Sequence, residues 1–480
     1  MQKRKKALYL VILMLVAIVF VTFFSYTTSP LYQHVSDLQD SAIFQIIGRY
    51  WLEGAVPYKD LWDLKGPFIF FINAVGYWLT DNRQGIWILQ IIFLCFTLCT
   101  TFKTFLLYFR ESTAFGMTLL SLASLAYVYQ GGNMTAEYLL PFLTWSFYGI
   151  LKWNRQISEC AITTHPPRYA VLYGIVLGIS LMSRLTNALA VCGAVIVIAI
   201  TLLWHKAYRN LLVNIAGFII GFAITTLPFF FYFYSQDALS EMWEGTFLHA
   251  FRYAGKTSKD MTEIGIHFFV LCYLNSILLL LITIWNLFRT KRMTISSWLW
   301  LMVAGLPFVW FCQGNGFANY GIIVYPLFAV VMIVIYQSQL KPLGVIVGIL
   351  LIIGLASKVR FMFVMYHWEN KQVTACMQFL KNHPQVNYDS FVAYNCDPNI
   401  YLVLDCRPAA TFFSLQDFHV KRNPVILEEM TATFKKKQPQ WILLSHDEEV
   451  APSIQPILDD TYTIVSTDQQ NNLTIYTLKR

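Results

Sequence analysis

The chain has 480 residues, of which 56% are hydrophobic and 13% charged, against roughly 45–50% and about 25% in ordinary soluble domains. Water is therefore not its main solvent, and apolar runs as long as a bilayer is thick exclude a single large soluble core. The net charge of +8 is scattered over short loops between those runs, which argues against a nucleic-acid partner and for a signal that orients membrane spans.

In chain order, Lys3, Arg4, Lys5 and Lys6 precede eighteen almost unbroken apolar residues from Ala7 to Phe24. No small-residue cleavage site follows before Tyr26, so this segment is expected to remain as an anchor with its N-terminus in the cytoplasm. Further spans are predicted at about 85–109, 112–129, 138–153, 169–182, 188–204, 211–234, 264–288, 297–312, 320–336 and 343–357, giving about eleven crossings. Alternate threading brings Lys103, Arg110, Lys152, Arg155, Arg168, Lys206, Arg209, Arg289, Lys291, Arg292 and Lys341 to cytoplasmic ends, as the positive-inside rule requires. It also sends everything after Lys358 outside, although Lys358 and Arg360 themselves run against it. Gly66 to Thr80 is apolar but only fifteen residues long and is predicted as an interfacial or re-entrant helix. Residues 28–84 then form one long outer loop, and about 235–263 a second.

From about Asn370, short β-rich runs (SFVAY, YLVL, QWILL) alternate with polar helical stretches such as ILEEMTATFKKK, the pattern of a small α/β domain. The expected architecture is an α-helical polytopic membrane domain over 1–357, with the outer loop 28–84 bearing the site, and a small extracytoplasmic α/β domain over 358–480. That tail carries no phosphate-cradling glycine loop, metal-ligand cluster or nucleophile motif, so its expected role is a structural or acceptor-recognition cap. The nine cysteines show no CxxC spacing and mostly occupy apolar segments as small hydrophobes. Cys396 and Cys406 are a candidate pair if the tail lies in an oxidising compartment.

The first outer loop reads SDLQDSAIFQIIGRYWLEGAVPYKDLWDLKGP. Ser36 and Gln39 have capping-box spacing and Gly54 stands where a helix stops, predicting a helix from about Asp37 to Glu53. Asp37 and Asp40 share one face of its first turn, where their plainest role is to compensate the helix dipole. Asp60 and Asp63 repeat the spacing, and Lys65 ends the segment just before Gly-Pro opens the next helix. Four carboxylates and a lysine thus crowd one membrane surface, either as a solvated polar loop or as a site of chemistry. Transfer of a sugar from a lipid phosphate needs a base for the acceptor hydroxyl and cations for the departing phosphate, and this set holds both. Because phosphate leaves as a stable anion, the two-carboxylate arrangement of soluble glycosidases need not apply.

The run from Asp40 through KGP resembles the first outer loop of the GT-C membrane glycosyltransferases, especially the protein O-mannosyltransferase and lipid A aminoarabinose transferase group (glycosyltransferase family 39-like). There a helix-opening Asp, a G-x-x-x-P-Y-like turn and an acidic-Lys-Pro motif recur. The resemblance implies a GT-C-like fold, Asp40 as catalytic base and Lys65 as a ligand of the donor phosphate. The chain departs from the motif in having Leu64 before the lysine and Gly66 between Lys65 and Pro67, so Asp63 and Asp37 stand as supporting acids. Glu137, in GGNMTAEYLLP, looks like the family's second acid; from the residues alone it also reads as a carboxylate favouring the N-terminus of the next span. Members of the family commonly place a metal or an acceptor contact near that acid, and users of lipid monophosphates can do without it, so a divalent cation is left open. Arg184, in the short outer hairpin SRLTN, is implied as a phosphate ligand; the alternative is an arginine snorkelling to headgroups. Arg252 is a third phosphate candidate, and His249 and Tyr253 are lid candidates.

Together these imply an inverting glycosyltransferase of the cell membrane, acting in cell-envelope glycan biosynthesis. It would move sugar from a polyprenyl-phosphate donor to a hydroxyl of a protein, glycan or lipid on the extracytoplasmic face. Two other classes compete. A transporter or flippase would bury polar sites near the bilayer midplane, whereas here the ionisable residues fall at span ends. A non-catalytic subunit that binds the carrier lipid would keep Lys65 and Arg184 and make Asp40 dispensable.

Overall fold

Backbone inside a bilayer must satisfy its own N–H and C=O groups, so the long apolar runs wind into helices. The computed structural model describes residues 2–32, 39–160, 164–249, 272–312, 318–414, 427–428, 431–432, 434–435 and 439–479. Asp37, Arg252 and Tyr253, with the capping residue Ser36, lie outside the described residues. In chain order come α1 (Gln2–Phe24), α2 (Gln39–Leu52), α3 (Pro67–Thr80), α4 (Gln84–Phe105), α5 (Glu111–Val128), α6 (Leu140–Cys160), α7 (Pro167–Leu181), α8 (Leu189–Trp204) and α9 (Tyr208–Ser235). The short α10 (Leu239–Trp243) follows, then α11 (Leu274–Thr290), α12 (Ile295–Phe311), α13 (Leu327–Gln337) and α14 (Lys341–Tyr366).

Every predicted span overlaps one of these helices, although residues 264–271 of the predicted 264–288 span lie outside the described residues. Among the described residues five helices are long and apolar enough to cross a membrane by themselves, and a sixth crossing is made if the bent pair Ala318–Val324 and Leu327–Gln337 counts as one. Shorter apolar helices, among them α7, α11 and α12, accompany them. Large apolar side chains point outward along these helices, with Val11 at 53%, Ile219 at 58% and Ile353 at 61% exposure. Such a surface suits lipid and not water. The chain is a mostly helical, multi-pass membrane protein with a small mixed sheet near its C-terminus.

The chain divides into two compact units. One comprises Met1–Ser25, Trp87–Phe231 and Thr257–Phe363; the other comprises Tyr26–Ile86, Tyr232–Lys256 and Val364–Arg480. The second unit therefore gathers the first loop, a piece of the second loop and the tail. Within it α2 lies against α3, and a Cβ added to Gly48 would meet Asn73 Cβ at 2.5 Å and the Ala74 nitrogen at 2.7 Å. Only glycine permits that approach. Gly54, at φ +92°, ends α2 as predicted.

The tail begins with α15 (Lys371–Lys381), whose N-cap Asn370 accepts the Val373 N–H. It continues through β1 (Phe391–Tyr394), α16 (Asn399–Leu404), β2 (Trp441–Ser445), α17 (Gln455–Thr461), β3 (Tyr462–Asp468) and β4 (Leu473–Leu478). The sheet order is β1-β2-β4-β3, with β1 parallel to β2 and the other pairs antiparallel. Two expectations are corrected here. The YLVL run is helical, because after Pro398 the chain buries consecutive residues Ile400 and Tyr401 and turns the Tyr401 hydroxyl back to accept the Ala393 N–H. A strand would have alternated faces. All nine cysteines are free, and the Cys396 thiol is hydrogen-bonded with Cys376 instead of approaching Cys406. The ILEEMTATFKKK stretch lies partly outside the described residues, and those of its residues that are described are helical.

A candidate active site on the first loop

Asp40 sits in the first turn of α2, where the helix N-terminus favours a carboxylate. Past Gly54 the chain makes a tight turn. The Val56 N–H donates to Asp60 Oδ2 at 2.8 Å, and the Tyr58 N–H donates to the Leu61 carbonyl at 2.8 Å. Tyr58 adopts φ +70° there, a conformation that non-glycine residues hold only under constraint. The constraint is visible: its ring packs on Phe70 and Phe233, it receives a hydrogen bond from Thr246, and its hydroxyl donates to the Lys65 carbonyl at 2.7 Å. This anchored turn swings Lys65 back towards the start of α2.

Lys65 Nζ comes within 3.8 Å of Asp40 Oδ2. The two side chains remain 23% and 39% exposed, so the pair contributes little to stability and is open to a ligand. Asp63 Oδ2 accepts the Lys65 backbone N–H at 3.1 Å. Its carboxyl is buried, and burial pushes its pKa up; the Lys65 ammonium opposes that shift and the Asp40 charge adds to it. One neutral-leaning acid, one accessible carboxylate and one ammonium are thus brought together. Asp60 is drawn away into the turn, with Arg407 of the tail 3.9 Å from it.

His249 is buried against the edge of Trp62, ring centroids 5.1 Å apart. Trp62 also packs on Phe412, 5.2 Å away, and on the buried cluster of the tail sheet, and its N–H donates to the Thr411 carbonyl at 2.9 Å. Arg49 of α2 pairs with Asp405. Sequence reasoning missed both Tyr58 and Trp62. The Pro57-Tyr58 turn was a usable signal for the first; nothing local to Trp62 marks a contact with residues so distant in the chain.

Glu137 and Arg184 belong to the other unit. Glu137 opens a 3-10 turn before α6 and is buried; it accepts hydrogen bonds from Gln90 Nε2 at 2.8 Å and the Met134 N–H at 2.9 Å. Burial pushes its pKa up to about 7, against the pull of those donors. Between pH 4.5 and about 7 the unfolded chain releases this proton before the folded one does, so stability falls as pH rises through that window and levels above it. Glu137→Gln is expected to flatten this slope, measured as the thermal midpoint in detergent across pH 4.5 to 8. Equal slopes in both proteins would show that Glu137 is not held in this way. Arg184 lies with its guanidinium 3.1 Å above the centre of the Tyr320 ring.

Among the described residues no three His, Cys, Asp or Glu side chains converge as a metal-binding group. Around Asp40 the position a cation would take is faced by the Lys65 ammonium, so these residues do not fit a resident metal.

No family model and no curated protein matches the sequence. The solved structures do match. ArnT from Cupriavidus metallidurans, crystallised bound to undecaprenyl phosphate, superposes with a TM-score of 0.59 at 14% identity over 97% of each chain. Its apo form gives 0.59 at 13% identity, again over 97% of each chain. The chain has the GT-C membrane-glycosyltransferase fold. The oligosaccharyltransferase of Archaeoglobus fulgidus aligns more loosely, with a TM-score of 0.47 at 12% identity over 97% of this chain and 73% of its own. At these identities the GT-C likeness concerns the path of the backbone, and residue roles have to be argued from the site itself.

Proposed function

We propose that this protein is a glycosyltransferase that moves a sugar from a polyprenyl-phosphate donor to an acceptor hydroxyl on the extracytoplasmic face, with Asp40 as base and Lys65 as a ligand of the leaving phosphate. The observation that carries the reading is the 3.8 Å approach of Lys65 Nζ to an accessible Asp40 carboxylate in a chain of GT-C fold. The solved neighbour ArnT was crystallised with undecaprenyl phosphate, which supports a carrier of that chemistry here.

In the reaction the acceptor hydroxyl loses its proton to Asp40 as its oxygen bonds to the anomeric carbon. The bond from that carbon to the phosphate oxygen breaks, and its electron pair leaves with the phosphate. Attack from the opposite face inverts the anomeric centre. The Lys65 ammonium stabilises charge that grows on the phosphate. Burial favours the neutral form of Asp63, which makes it the poorer base and leaves that role to Asp40. Arg184 and Arg252 remain phosphate-ligand candidates, and His249 and Tyr253 remain lid candidates, on the resemblance alone.

Mass spectrometry of lipids that co-purify with the full-length protein tests the donor class. A polyprenyl phosphate or its glycosyl derivative is expected. A preparation that carries no prenyl lipid and binds none when offered one points instead to a transporter.

A further inference from the structure

The first helix of the tail, α15, is locked onto the turn that ends β1. Asn370 Nδ2 donates to Asp397 Oδ2, and the Asp397 N–H donates to Gln372 Oε1, both at 2.8 Å. Asn370 and Asp397 are buried, and Asp397 Oδ1 accepts the Asn399 N–H at 2.9 Å. Two cysteines flank this lock. Cys376 follows Gln372 by one helical turn, shares its face of α15 and is 1% exposed. Cys396 immediately precedes Asp397, where Asn395 has just turned the chain at φ +55°. The lock therefore brings both thiols to one spot, and they are hydrogen-bonded to each other. The Cys396 thiol also lies 3.4 Å from the Tyr394 carbonyl and 3.8 Å from the Leu443 carbonyl of β2, at the end of the sheet.

Such a pair is either two small buried hydrophobes in contact or the two halves of a cystine. Two features favour the cystine. Hydrogen bonds that do not involve sulfur already hold the two backbones together, so closing the S–S distance to about 2.05 Å falls to the side chains. The second feature is compartment, since disulfides persist on the outer side of a membrane; this step rests on the extracytoplasmic placement of the tail that goes with the proposed function.

We propose that Cys376 and Cys396 are joined by a disulfide in the mature protein, stapling α15 to the end of the sheet. As it closes, two S–H bonds break and one S–S bond forms. The two protons and two electrons pass to an oxidising disulfide of the compartment, which is reduced to two thiols. In the reduced pair the mutual hydrogen bond, and then burial, push the Cys396 thiol well above its usual range. A thiol of that kind is a poor leaving group in exchange, which makes the bridge structural and not a shuttling redox pair.

Peptide mapping of the full-length protein tests this. Native membranes are denatured in the presence of an alkylating agent, and the protein is purified and digested without reductant. Most chains are expected to yield the Cys376 and Cys396 peptides linked, with Cys406 alkylated as a free thiol. In limited proteolysis of the purified protein, dithiothreitol should speed cleavage of the tail about a hundred-fold, the scale for opening a loop of about twenty residues. Cys396→Ala, with no bridge to lose, should be cut at the same rate with and without reductant. Alkylation of both Cys376 and Cys396, a Cys396–Cys406 linkage, or wild-type cleavage indifferent to reductant overturns the proposal. A separate Gln470→Cys variant, at the exposed turn between β3 and β4, is labelled on intact cells with a membrane-impermeant maleimide. Its labelling reports the side of the membrane independently, so loss of the bridge and loss of the extracytoplasmic placement are told apart.

Discussion

Asp40→Asn is expected to lower sugar transfer by about 10²–10⁴-fold, the range that a positioned general base contributes, while the protein still folds and still retains its prenyl lipid. The side chain is 39% exposed and faces Lys65 at 3.8 Å, so the loss of one exposed ion pair costs roughly 0–1 kcal/mol of stability. Asparagine keeps the shape and removes the basic oxygen. Turnover should therefore collapse with little change in donor affinity, whereas Lys65→Ala should act mainly on retention of the phosphate. The readouts are single-turnover transfer and lipid retention measured on the same preparation. Full activity in Asp40→Asn would remove the acid from the mechanism and favour a carrier-lipid-binding subunit.

Trp62→Ala is expected to produce the largest structural effect. The indole packs on Phe412 and His249 and against the tail's buried cluster, and truncating a large aromatic in such a place costs about 3 kcal/mol. The loop that holds Asp60, Asp63 and Lys65 should then become sensitive to protease and the thermal midpoint should drop. Trp62→Phe should retain most of the packing and most of the stability. Wild-type melting together with wild-type cleavage in the alanine variant would mean that the loop stands without its seat.

The membrane helices were legible because each needs a long apolar run, and such runs announce themselves by length alone. The helix bearing Asp40 was legible from Gly54 and the amphipathic run before it; the crowding of charge marked the loop, and the choice of Asp40 and Lys65 within it came from the resemblance to GT-C proteins. The resemblance to GT-C proteins carried the fold assignment further than composition could. What stayed hidden was long-range. Tyr58 holds Lys65 through a backbone carbonyl, which no side-chain pattern encodes. Trp62 reads as one of many aromatics until its partners near residue 412 are placed beside it. YLVL failed as a strand because a short apolar run does not distinguish a strand from a buried helical turn.

The seat of Trp62 also bears on the order in which the protein can become active. Phe412 is translated 350 residues after Trp62, an interval of roughly 20–70 s at ordinary elongation rates. A nascent chain already threaded into the bilayer therefore has its acids and its lysine, but no platform to hold the loop between them. The loop's seat arrives last, and a protein whose synthesis is cut short lacks the part that would hold its candidate groups in register.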